Sequence, residues 1–125
     1  FKTLQMDRRK IKIPIYFGDL IIISVKNWDE INKRFGTKAE KDMQAIVFKD
    51  DKDGFSRYVV AFSKKPDAAV IAHEATHIVN HIFIDRMMSL DPYNDEPQAY
   101  LTGWVVEQID KFFNNKKTKG NGKRK

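Results

Sequence analysis

All three histidines of the chain fall in one stretch, PDAAVIAHEATHIVNHIF (66–83), at His73, His77 and His81, with Glu74 directly after the first. On a helix, residues four apart sit one turn from each other on the same face. His73 and His77 can therefore bring two imidazoles to one metal ion. Neutral imidazole is a good zinc ligand, at about 2.0–2.1 Å. Glu74 lies about 100° round the helix from His73, beside the ligands, where it can take a proton from a metal-activated water without binding the metal. The motif also sits in the middle of a strongly apolar segment, whereas a chance pair of surface histidines belongs on a polar face.

A catalytic zinc keeps three protein ligands and one open position. His81 is eight residues from His73, about 12 Å along the axis, too far for three imidazoles on a straight helix to converge. The third ligand is expected from another element. Glu96, nineteen residues after His77, is the leading candidate, because it opens the next predicted helix and the connector can fold it back over the histidines. Gly103 on that helix costs about 1 kcal/mol relative to alanine and invites a packing reason, such as a close crossing over the histidine helix. Asp95 and Asp91 are alternative ligands, and Glu96 or Asp95 also suits a plain helix cap.

The elements that must hold these residues follow from pattern. KIPIYFGDLIIISV reads as two short strands joined by a two-residue turn at Gly18-Asp19. NWDEINKRFG reads as a short helix with Asn27 as N-cap, Glu30 in the capping-box position and Gly36 ending it. TKAEKDMQ is polar and ambiguous. QAIVFK and GFSRYVVAFSK suggest a second hairpin around DDKDG, a plain turn, since the glutamate of a calcium loop is missing. From Pro66 the apolar period changes to about 3.6, predicting one long helix from Asp67 to about Met88. A second runs from Glu96 to about Phe113, with Pro97 suited to its first turn and a core stripe at Leu101, Trp104, Val105, Ile109 and Phe112. The expected fold class is α+β: a small antiparallel sheet of about four strands packed on the histidine helix and a C-terminal glutamate-bearing helix.

At 125 residues, 42% hydrophobic, the chain has the size and composition of one globular domain, placed at 1–115. Its net charge of +6 hints at nucleic acid until it is located. KKTKGNGKRK (116–125) holds six Lys/Arg and no acid; taking these six from 23 leaves 17 bases against 17 acids. The body is neutral, and 116–125 is expected to be a disordered basic tail, through which alone nucleic acid would be a partner. The chain has no cysteine, so thiolate zinc sites and disulfides are excluded. No apolar run approaches the ~18 residues of a membrane span, and FKTLQMDRRK lacks the apolar core of a signal peptide, which favours a cytoplasmic location.

HEATH followed by Glu96 resembles the gluzincin branch of the zincin metallopeptidases. Glu96-Pro97-Gln98-Ala99 is similar to the ExxA of small HExxH peptidases of phage and mobile elements. The resemblance is sharp over 73–100 and vague elsewhere. It implies a zinc ion held by His73, His77 and Glu96, with Glu74 as general base and a peptide or protein as substrate. An oxyanion-steadying role falls to Tyr100, Tyr93 or His81. Tyr100 stands where many thermolysin-like enzymes carry an aspartate that orients the first histidine, so the outer partner of His73 is unassigned. The family also implies a strand before the active-site helix whose edge takes extended substrate. SRYVVAFS (56–63) occupies that place, as a free edge or as an interior strand. The resulting expectation is a zinc-dependent peptidase. Its rivals are an inactive zincin-like binding module and a nucleic-acid-associated protein acting through the tail.

Overall fold

A computed structural model of the chain describes residues 6–114. The expected tail at 116–125 lies outside the described residues. Two unbroken apolar runs, LIII (20–23) and YVVAF (58–62), form the middle of the sheet, because a strand covered on both faces needs an apolar side chain at every position. They belong to β2 (Asp19–Val25) and β4 (Arg57–Phe62), paired in parallel from Asp19↔Arg57 to Ser24↔Phe62. β1 (Met6–Lys12) pairs antiparallel with β2, and β3 (Ala45–Asp50) antiparallel with β4, giving the order β1-β2-β4-β3.

The four strands and the α+β class are as expected, but the sheet is mixed: its outer pairings are antiparallel and its central one parallel. After β2 and the helix α1 (Trp28–Phe35) the chain returns as β3 at the far edge, and β4 then fills the gap beside β2. SRYVVAFS is therefore the interior strand of the two alternatives. The free edges belong to β1 and β3.

The first strand is MDRRKIK, not the apolar KIPIY run, and residues 13–18 replace the expected two-residue turn. Within that connection Tyr16 N–H donates to the Pro14 carbonyl at 2.7 Å across Ile15, whose φ is 69°, and Phe17 has φ 66°. Both are costly conformations for bulky side chains. Arg86 holds them by donating to the carbonyls of Tyr16 and Phe17. Gly18 is required by a close approach, since a Cβ there would stand 2.9 Å from the Ser56 carbonyl oxygen.

α1 has the predicted ends. The Asn27 side chain accepts from Asp29 N–H at 3.0 Å, and Gly36, at φ 74°, donates its N–H to the Asn32 carbonyl. Its Trp28 and Ile31 cover one face of the sheet, over Ile21, Ile23, Val59 and Ala61. The opposite face, with Leu20, Ile22, Tyr58, Val60 and Phe62, is covered by α2 (Ala68–Asp85) and α3 (Glu96–Asn114). The DDKDG turn is plain: Asp53 accepts the Phe55 N–H and a two-pronged contact from Arg57. α2 stops at Asp85, short of the predicted Met88, because Met87 turns left-handed (φ 56°). Met88 N–H then reaches back to the Phe83 carbonyl and Met87 N–H to that of Ile84. Among the described residues no helix is long and apolar enough to cross a membrane.

Candidate metal centre

Asp67 starts α2 by accepting the Val70 N–H at 2.9 Å. Ile71, Ala75, Ile78 and Ile82 then bury one side of the helix against the sheet, which turns His73 and His77 outward. Glu74, one position round from His73, is left at 9% exposure. The ligand atoms of His73, Glu74 and His77 lie within 4.8 Å of one another. The two Nε2 atoms are 3.3 Å apart, with ring planes at 80°. Two metal–nitrogen bonds of about 2.05 Å meeting at a tetrahedral angle span about 3.3 Å, so the imidazoles already stand at the separation that one zinc ion requires.

Glu74 has no hydrogen-bond or ion-pair partner among the described residues, yet none of its oxygens is sealed from solvent. A carboxylate so deeply set, unpaired and open on one side keeps its lone pairs for whatever enters. What it opens into is a cleft of about 420 Å³ lined by Asp42, Gln44, Ala69, Val70, His73 and Glu74. The far wall is the end of the segment TKAEKDMQ and is firmly held. Trp28 Nε1 donates to the Met43 carbonyl at 3.0 Å, and Ser63 N–H donates to the Gln44 carbonyl at 3.0 Å. Sequence reasoning missed this wall, since a polar stretch without periodicity gives no sign of what it faces.

The other expected residues stand apart from the cluster. Glu96 is exposed at the first position of α3 and is not among the grouped ligands; nor are the exposed Asp91 and Asp95. Asp91 is occupied in a turn, accepting Tyr93 N–H on its side chain and Asn94 N–H on its carbonyl. Tyr100 is 49% and Tyr93 97% exposed, while His81 is half-buried and outside the cluster. The close crossing inferred from Gly103 is absent, because a Cβ there would meet nothing within 4 Å. Gly103 instead lines a shallow groove with Ile71 and Val106.

No family model matches the chain, and neither a curated protein nor a solved structure does. The functional reading rests on the cluster and its cleft alone. Two imidazoles and a carboxylate make a donor set that could hold a metal ion.

Proposed function

We propose that this chain is a zinc-dependent peptidase of zincin type. The observation that carries the reading is the 3.3 Å separation of the His73 and His77 Nε2 atoms, with the unpaired Glu74 carboxylate opening into the cleft that His73 also lines. A bound zinc ion supplies Lewis acidity, polarising a carbonyl and bringing the pKa of a water toward about 7. Glu74 accepts the proton of the attacking water and returns it to the leaving nitrogen. His73 and His77 are the paired ligands. Glu96 is the proposed third, brought over by movement of the connector between α2 and α3, with Tyr100 following it one turn along α3.

Extended substrate pairs along β3 in this reading, not along β4. β3 is a free edge; Gln44, the residue before it, lines the cleft with His73, and its Lys49 reaches Asp85 of α2 at 2.9 Å, so the strand runs alongside the histidine helix. Its free N–H and C=O groups offer peptide a backbone ladder.

The test is elemental analysis of the purified chain, followed by cleavage of a peptide library. About one zinc per chain, with library cleavage that Glu74→Gln abolishes while zinc stays bound, is the expected result. Retained cleavage in that variant removes Glu74 as base. The separation of Glu96 from the cluster favours one rival, a peptide-binding module without turnover. Zinc binding with no cleavage of any library member, and no loss of zinc in Glu96→Ala, selects it.

A further inference from the structure

We propose that Asp42 makes the cleft beside the cluster a subsite for a cationic side chain, so that the preferred substrate carries lysine or arginine next to the bond that is cut. The inference rests on the hydrolase reading above and deepens it. The cleft is lined by Ala69, Val70, His73 and Glu74 of α2 and by Asp42 and Gln44 of the segment before β3. Ala69 and Val70 offer small and aliphatic surface for the methylene stem of a long basic side chain, whose head reaches the Asp42 carboxylate.

Asp42 is an exposed acid with no hydrogen-bond or ion-pair partner among the described residues. Glu40, Asp95 and Glu96 are exposed acids without side-chain partners too, but of these acids Asp42 is the one that lines the cleft. The position of Asp42 is not left to chance either. Met43 N–H donates to the Glu40 carbonyl at 2.9 Å, and the next residues are tied to Trp28 and Ser63. A free carboxylate on a tied turn, aimed at a cleft, is arranged to meet something from outside.

Charge balance points the same way. With Glu74 and the proposed ligand Glu96, a divalent ion leaves the site neutral, and Asp42 adds one negative charge at its outer wall. Among the described residues no lysine or arginine lines the cleft. That additional carboxylate draws a cation to the outer wall rather than to the metal.

The test reads binding rather than turnover. Zinc-loaded full chain carrying Glu74→Gln is titrated with short peptides blocked at both ends, identical except for lysine or norleucine at one scanned position, and binding is followed by fluorescence anisotropy. At one position the lysine peptide is expected to bind about tenfold tighter, the scale of one charge-assisted contact. Adding Asp42→Asn should erase that ratio, Asp42→Lys should invert it, and salt should shrink it. An unchanged ratio in Asp42→Asn overturns the subsite, as does a fall in zinc content, which makes Asp42 a metal partner instead. A norleucine peptide with a free α-amine that matches the lysine peptide overturns it in favour of capture of a chain terminus. Zinc-loaded protein that binds both blocked peptides equally removes the subsite and leaves the hydrolase reading standing. A chain that takes up no zinc removes both.

Discussion

The two halves of α2 are built on opposite principles. At its C-terminal end the last two charged side chains are both tied down. Asp85 accepts from Tyr58 Oη at 2.6 Å and pairs with Lys49 at 2.9 Å, and Arg86 ties down two carbonyls of the β1–β2 connection. More than two turns upstream, among the described residues, His73 and His77 have only each other, and Glu74 has no partner. One helix thus carries a lock and an open site. The stability that bare, outward-facing histidines forgo is provided at the other end of the helix.

The sharpest break of that contrast is His77→Ala. Losing an outer partner of a metal ligand costs about 10–100-fold in affinity, and losing the ligand itself should exceed that. We expect zinc binding to weaken by more than 100-fold in competition titration with a chromophoric chelator. The apo melting temperature should stay within a degree or two, because the side chain is exposed and shares no contact with the lock. A large fall in apo stability would mean that the two halves are not separate.

Asp85→Ala is the converse. It leaves the Tyr58 hydroxyl and the Lys49 ammonium without their shared acceptor, at a cost of about 1–3 kcal/mol. Thermal or denaturant unfolding should show it, with zinc affinity unchanged. The pH dependence carries a sign that can be checked. Burial raises the Asp85 carboxyl, but hydrogen bonds from Lys49 and Tyr58 outweigh it and hold the group below its ordinary value of 3.8. A depressed folded value means the contribution is complete above 3.8 and is lost as pH falls through the folded value. Tyr58 is raised by desolvation and by its bond to Asp85, and Lys49 by its bond to Asp85, so their contributions are complete below their ordinary values of 10.0 and 10.5 and are lost as pH rises through the folded ones. The lock is therefore at full strength between about 4 and 10. The stability gap between wild type and Asp85→Ala should be flat across that range and close at both ends.

The open half was legible in the sequence and the lock was not, for a physical reason. Histidine spacing on a helix is a local property, fixed by 3.6 residues per turn, and the caps at Asn27 and Gly36 are equally local. The Tyr58–Asp85 bond joins residues 27 apart in sequence and exists only through the placement of β4 over α2. Strand order failed similarly. Pairing neighbours as hairpins gave an antiparallel sheet, while the burial of LIII and YVVAF on both faces required them to lie side by side at the centre. MDRRKIK escaped notice because an edge strand exposed on both sides loses the alternation that marks a strand. Glu96 was correctly read as opening a helix, but its distance from the histidines depends on the path of residues 86–95, which carry no periodicity.

Ala45→Pro tests whether the free edge beside the open half is used. The Gln44 carbonyl accepts from Ser63, so it faces β4, and antiparallel alternation turns the N–H of Ala45 to the free side. Proline at the first residue of an edge strand removes that outward donor and spares the inward ladder. We expect kcat/KM on peptides to fall about tenfold, the value of one backbone hydrogen bond, with little change in melting temperature. An unchanged kcat/KM would take substrate off this edge.

The smallest expected effect is a gain, at the locked end. Met87 is 92% exposed and holds φ 56° to close α2, a conformation in which its side chain costs about 1–2 kcal/mol and glycine costs nothing. Glycine gives back part of that gain through the extra freedom of the unfolded chain, leaving about 0.5 kcal/mol. Met87→Gly should therefore raise the melting temperature by a few degrees at most. Zinc affinity and kcat/KM should stay at their wild-type values, because the lock holds the helix end without touching the cluster. A Met87→Gly protein that is more stable yet binds zinc differently would show that strain at the locked end reaches the histidines along α2, and the two halves would have to be treated as one device.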